Sequence, residues 1–380
     1  GVIPTPALAF ASRGRRGVMV TASHNPPTDN GCKFFVDGQE YGDSAEERIE
    51  SCVEAGVNPT EWDEWGVSER IEPLAEYRKT IVEYAQNHDT SLNGLSIAVD
   101  CGNGMASLAT PQVLGALGAE VTALNANVDG YFPARGSKPT PETLGDLRAF
   151  LADDDSALGI AHDGDADRIV VLDVTGEIVH EDTVVAILAE HYTRASDAAD
   201  PVVVTTPNAS SRIDERTESA GGRVERVRLG ALHEGMAAVR EESADAEVVF
   251  AAEPWKHIHP ELGPWIDGVA SAAVFARLVA ESGLEALRDP IRELPYRKVS
   301  IDCPDDRKEE AMNRLTTTLP DEFSEGSVST EHGIRIELAA GWVLVRPSGT
   351  EPKIRVYAES EQVETLCERT VEMVEAAITN

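Results

Sequence analysis

Lysine is scarce in this chain, with 7 against 26 arginines in 380 residues. Acid outweighs base throughout, 67 Asp and Glu to 33 Lys and Arg, for a formal charge of −34. A field of that sign repels nucleic acid and anionic membranes, so neither is an expected partner. The acidic residues are spread along the chain and form no single tail. They read as a solvated surface suited to strong ionic screening, the composition expected of a halophilic source. Long apolar runs are also missing: none approaches the ~20 residues of a membrane span, and the first residues carry no signal-peptide pattern. Cys32, Cys52, Cys101, Cys303 and Cys367 are odd in number, far apart and without a CxxC pair. That argues against disulfides or a zinc site and for a reducing, cytoplasmic setting. An initiating Met is lacking as well. Gly1 opens within Val2-Ile3-Pro4-Thr5-Pro6, which reads as the middle of an element, and further residues are expected upstream.

At this length two to four domains are expected. A strand at Val18-Met19-Val20 leads into a Pro-stiffened loop. A helix with an S-x-x-E capping box at Ser44 and Glu47 follows, with apolar positions Ile49, Cys52 and Val53. Alternating strands and helices fill two further units, with a hairpin tip at Thr175-Gly176. Beyond about residue 294 the pattern changes to α+β. Polar connections place the domains at residues 1–88, 89–198, 199–293 and 294–380.

Four stretches carry chemistry. Thr21-Ala22-Ser23-His24-Asn25-Pro26-Pro27 puts a hydroxyl and an imidazole on a turn; by itself it also reads as an ordinary Pro-terminated turn. Asp163-Gly164-Asp165-Ala166-Asp167-Arg168 follows an apolar strand. Its carboxylates at i, i+2 and i+4 point one way on an extended backbone, and their mutual repulsion calls for a hard divalent cation such as Mg²⁺. An EF-hand is excluded, because Arg168 and Val174 stand where its Gly and Glu belong. An acidic solvated turn remains the plainer alternative. Arg346-Pro347-Ser348-Gly349-Thr350-Glu351-Pro352-Lys353-Ile354-Arg355 gathers positive charge in an acidic chain and suits a phosphate, although strand-edge cations that block edge pairing look similar. Glu253-Pro254-Trp255-Lys256-His257 sets Glu253, Trp255 and His257 on one side if extended, where they could grip a sugar or simply pack.

Together the four stretches resemble the α-D-phosphohexomutase family, in its order and at comparable spacings over nearly the whole chain. The resemblance implies an α/β fold: three related α/β domains with mixed sheets plus a C-terminal α+β domain, arranged around a central cleft. It implies a phosphohexomutase that interconverts 1-phospho and 6-phospho hexoses or amino sugars through a phosphoserine at Ser23 and a 1,6-bisphosphate. Ser23, Asp163, Asp165 and Asp167 would hold Mg²⁺. His24, Lys33 and Arg168 would attend the reacting group, with Lys33 as general acid/base. Glu253, Trp255 and His257 would meet the sugar, and Arg346, Ser348, Gly349, Thr350 and Arg355 the second phosphate. A small phosphosugar is the expected partner, and the chain is expected to be a monomer or homodimer. A non-catalytic phosphosugar-binding protein and a metal-dependent phosphatase with an aspartate nucleophile are the alternatives. The chain departs from the family pattern at Ala252, Trp255 and Lys256, where Gly, Ser and Gly are usual, and at Val227, where Thr is. The family's opening strand and a Gly-Arg segment would lie before Gly1.

Overall fold

The computed structural model describes residues 1–379 except Val57, Asp89 and Thr350, and the described residues form four sheets. The first is antiparallel: Arg16–Val20, Cys32–Val36 and Gln39–Glu40. Its first two strands are joined by residues 21–31, and their register sets Lys33 opposite Met19, next to that loop. The helix Thr5–Ala11 packs against this unit with Ala7, Ala9 and Phe10 buried, and Pro6 in its first turn gives up no helical hydrogen bond. The expected capping box at Ser44 does not form. The helix Asp43–Glu54 starts two residues earlier, with Gly42 at its N-cap, and Asp43 and Glu46 complement its positive end. Ile49, Cys52 and Val53 stay outside the core, since no residue of this helix is buried.

The second and third sheets share one plan. In the second, Glu120–Leu124, Ser96–Asp100 and Leu158–Ala161 run parallel, and Val170–Leu172 adds an antiparallel edge. In the third, Arg223–Arg226, Asp200–Thr205 and Ala246–Glu253 run parallel, with Lys256–Ile258 as the antiparallel edge. These are the mixed sheets expected. The plan makes two loops topological equivalents: residues 162–169 in one unit and the 254–255 turn in the other. The two meet, because Arg168 and Lys256 form an antiparallel bridge and the Ile169 N–H donates to the Trp255 carbonyl at 3.1 Å.

The fourth sheet is wholly antiparallel, in the order Tyr296–Asp302, Lys353–Ser360, Gly341–Pro347, Ile334–Leu338, Ser327–Ser329, with helices Asp305–Glu322 and Val363–Thr379. One apolar core runs through the first three units, from Phe10 and Tyr77 to Phe250 and the almost fully buried helix Gly268–Ser282. The fourth unit has its own core around Leu315, Val343, Val356 and Val374. A polar join ties it to the third: Glu359 accepts from Ser210 Oγ at 2.7 Å and from Arg212 at 2.8 Å, while Trp342 Nε1 of its own unit donates to its other oxygen at 2.7 Å. A polar contact between units with separate cores is the kind that allows relative motion.

Candidate active site

Ser23 adopts a left-handed backbone, φ 52°, which few non-glycine residues take. Its N–H donates to Thr21 Oγ1 at 2.9 Å, and its hydroxyl donates to Asp163 Oδ2 at 2.9 Å. His24 Nδ1 lies 3.5 Å from the same hydroxyl. The loop is held from outside by Ser137, whose hydroxyl donates to the Asn25 carbonyl at 2.8 Å. Ser23 borders a cavity of about 920 Å³ whose walls include Thr21, Phe132 and Asp165.

The acidic loop is not extended as its spacing suggests. It turns, with Ala166 at φ 62°, yet Asp163, Asp165 and Asp167 still converge, each offering an oxygen within 4.8 Å of the others. All three are buried. Thr5 Oγ1 donates to Asp165 Oδ2 at 2.6 Å and Thr21 Oγ1 to the same oxygen at 3.2 Å. Lys33 Nζ donates to Asp167 Oδ2 at 2.6 Å and is 3.7 Å from Asp165. Arg168 Nε is 3.6 Å from Asp163 and 3.7 Å from Asp167. Behind the turn, buried His162 donates from Nδ1 to the Arg168 carbonyl at 2.7 Å; its Nε2 is thereby left to accept from Thr110 Oγ1 at 3.0 Å. Burial holds that imidazole neutral, at about 4.

Charge is finely divided here. Burial, then Asp167 and Asp165, raise Asp163 well above the carboxylate range. Burial would raise Asp167 too, but Lys33, Lys256 and Arg168 outweigh it and hold it below that range. Lys33 is raised above the usual lysine value by Asp167 and Asp165 against its own burial, so it is charged at any working pH. His24 is lowered to about 4 by burial, then by Arg168, Lys138 and Lys256. Asp165 Oδ1 and Asp167 Oδ1 are buried with no hydrogen-bond partner among the described residues. Orphaned carboxylate oxygens facing one point fit a hard cation.

The 253–257 segment is not extended. It is a hairpin turning at Pro254-Trp255, with Trp255 at φ 68°, so Glu253 pairs across from Lys256 and the three side chains do not share a side. Glu253 Oε1 accepts from the Gly230 N–H at 2.5 Å. His257 is buried, with Nδ1 3.0 Å from Ser271 Oγ. In the fourth unit the basic loop joins the strands Gly341–Pro347 and Lys353–Ser360. Arg346 donates to Tyr357 Oη at 3.0 Å, Arg355 pairs with Glu351, and each keeps a buried Nε with no partner among the described residues. Ser348 is buried and Gly349 has open space where a Cβ would stand; Thr350 lies outside the described residues. Lys308, which sequence reasoning missed, donates to the carbonyls of Ser348 and Glu351 at 2.7 and 2.6 Å. Thr5, Ser137 and His162 were missed too; nothing local in the sequence marks them.

Descriptions of one family match the chain in four consecutive parts: phosphoglucomutase/phosphomannomutase alpha/beta/alpha domain I at residues 1–59, domain II at 75–176, domain III at 180–296 and the C-terminal domain at 299–376. A phosphopentomutase of Thermococcus kodakarensis is 40% identical over 369 residues, covering 94% of this chain and 79% of the relative. A probable phosphoglucosamine mutase of Methanopyrus kandleri is 39% identical over 386 residues, covering 99% and 82%. Among solved structures, a phosphoglucomutase/phosphomannomutase family protein of Burkholderia thailandensis superposes with a TM-score of 0.83 at 24% identity, over 99% of this chain and 82% of its own. Four domains in one order and relatives named as mutases define the class, a phosphosugar mutase, which moves a phosphoryl group between two positions of one sugar. The chain belongs to the phosphoglucomutase/phosphomannomutase family.

Proposed function

We propose that Ser23 carries the phosphoryl group, that Asp163, Asp165 and Asp167 hold Mg²⁺ beside it, and that the substrate is a hexose or amino-hexose phosphate exchanged between its 1- and 6-positions through a 1,6-bisphosphate. One observation carries this reading: the Ser23 hydroxyl is 2.9 Å from Asp163 within a buried triad that keeps two oxygens with no hydrogen-bond partner among the described residues. Bound there, the cation would neutralise charge on the transferring oxygens. Lys33 and Arg168, both positive, flank the same point. His24, neutral and next to the Ser23 hydroxyl, is the group able to accept a proton there, whereas Lys33, held charged by Asp167, serves as a fixed cation. Glu253 and Trp255 meet the sugar. His257 braces their hairpin from behind through Ser271. Arg346 and Arg355, with the Ser348-Gly349 backbone, take the phosphate that is not reacting.

The test is a coupled mutase assay on glucosamine, glucose and mannose phosphates and on ribose phosphate, the last because one relative is a phosphopentomutase. Interconversion should vanish in Ser23→Ala and in chelator, and return with added Mg²⁺. Turnover that survives Ser23→Ala with release of inorganic phosphate would replace this reading by an aspartate-based phosphatase.

A further inference from the structure

Of the seven lysines in the chain, three come to the Ser23 loop from three different units: Lys33, Lys138 and Lys256. Lys33 is committed to Asp167 and Asp165. The other two are not: among the described residues neither Lys138 nor Lys256 has a carboxylate within ion-pairing distance. In a chain with twice as many acids as bases, two such lysines on segments that border the Ser23 loop and the acidic loop are a marked local exception. Their positions are fixed by backbone. Lys138 follows Ser137, whose hydroxyl is bonded to the Asn25 carbonyl, so its segment is stapled to the Ser23 loop. Lys256 stands opposite Arg168 in the bridge that joins the acidic loop to the hairpin. The fields of both reach His24, and that of Lys256 also reaches Asp167. On its other flank Lys256 lines, with Glu253, Gly230 and His233, a cavity of about 360 Å³ between the first and third units. Lys256 therefore stands between that cavity and the acidic loop.

We infer that Lys138 and Lys256 form a second anion-binding wall at Ser23, which holds the phosphoryl group once it has passed to the sugar and so retains the sugar bisphosphate. The inference rests on the phosphoserine reading above. With the group on Ser23, the cations at hand would be Lys33, Arg168 and the ion that Asp163, Asp165 and Asp167 would hold. After transfer the ligand carries two phosphates, about two more negative charges than a monophosphate, and the cations not already paired with aspartate are the ones free to meet them. A bisphosphate that escapes would leave Ser23 bare and the enzyme idle.

The full chain is assayed for mutase activity while glucose 1,6-bisphosphate is titrated, with ribose 1,5-bisphosphate used if the wild type turns over pentose phosphates. The variants are Lys138→Met, Lys256→Met, their double, the Arg replacements at both positions, and Lys79→Met as a control on the exposed face of the helix Leu74–Gln86. The half-saturating bisphosphate concentration should rise about ten- to a hundredfold in each Met variant, the size of one lost charge-assisted contact, and further in the double. The Arg replacements should recover most of it, Lys79→Met should match the wild type, and melting temperatures should not move. A double variant that keeps the wild-type half-saturation overturns the inference. Failure of the reading beneath it is separate: radiolabelled bisphosphate would then not label wild-type Ser23 at all.

Discussion

Three buried aspartates meet two cations at this site, Lys33 and Arg168, so full ionisation would leave about one excess negative charge, before the proposed phosphoryl group adds roughly two more. Like charges about 5 Å apart repel by on the order of 3–4 kcal/mol per pair at an effective dielectric near 20. The cluster is thus stable only if each cation stays in place and a further one can join. Lys33→Met tests this with two readouts of opposite sign. Turnover should fall by about 10²-fold or more, the usual cost of removing a charged donor from such a site. Mg²⁺ should bind more tightly, because a competing positive charge next to Asp167 is gone. Calorimetric titration of the purified variant separates this from simple damage, which would weaken both. Ser23, the three aspartates and Arg168 are legible in the sequence because each set lies within a few residues, on a turn whose Pro or Gly marks it. Thr5 is not, since it reaches Asp165 across 160 residues and carries no motif of its own.

At the scale of elements, the acidic loop and the Ser23 loop touch through a glycine. A Cβ on Gly164 would stand 2.6 Å from the Ser23 carbonyl oxygen and 3.1 Å from the Phe132 ring. The nearer atom is backbone, so no rotamer change relieves the clash. Gly164→Ala should push the two loops apart and lower turnover by about 10²-fold, as expected when reacting groups are displaced by an ångström or less. The melting temperature should change little, because the sheet around Leu158–Ala161 is untouched; full activity would show that the loops need not meet. The hairpin at 254–255 was hidden in the sequence for a related reason. Its turn has Trp, not Gly or Asn, at the residue with positive φ, so an extended run was the natural expectation. The strand-helix alternation was legible because the buried strands are short apolar runs. Ser327–Ser329 was missed, being short, polar and exposed at a sheet edge.

The helix Glu181–Ala195 offers a pH test. Burial raises Asp182 in its first turn from 3.8 to about 6, with Glu181 adding to the rise and His180 and Arg212 opposing it. Its Oδ2 accepts from the Ser210 N–H at 3.0 Å, while Oδ1 has no partner among the described residues. The folded chain therefore holds this proton more tightly than the unfolded chain. Its contribution is full below about pH 4 and is lost as pH rises through about 6, by at most roughly 3 kcal/mol. Asp182→Asn keeps an acceptor for Ser210 and has no charge to bury. Its melting temperature should exceed that of the wild type at pH 7.5, and the gap should close at pH 4.5. An equal gap at both pH values would mean that Asp182 ionises freely.

For the whole molecule the deciding quantity is net charge. A charge of −34 on 18331 Å² of accessible surface is roughly one uncompensated negative charge per 540 Å². That corresponds to a mean spacing of about 23 Å, inside the ~30 Å screening length of 0.01 M salt and well outside the ~10 Å of 0.1 M. Salt also weakens exposed ion pairs such as Arg292 with Glu361 and Arg70 with Glu72, but each of those is worth only about 0–1 kcal/mol. Relief of repulsion should therefore win. The melting temperature in KCl should climb steeply from 0.01 to about 0.2 M and more slowly beyond. The later gain must come from charges closer than the average. Glu46 is such a place: burial and then Glu40, Asp43 and Glu50 raise its carboxyl, and it lines the cavity between the first and third units opposite Glu234 and Glu253. Glu46→Gln should leave the steep phase intact and flatten the slow one, whereas a wild-type melting temperature that stays level or falls between 0.1 and 2 M KCl would end the reading of this surface as one built for strong screening.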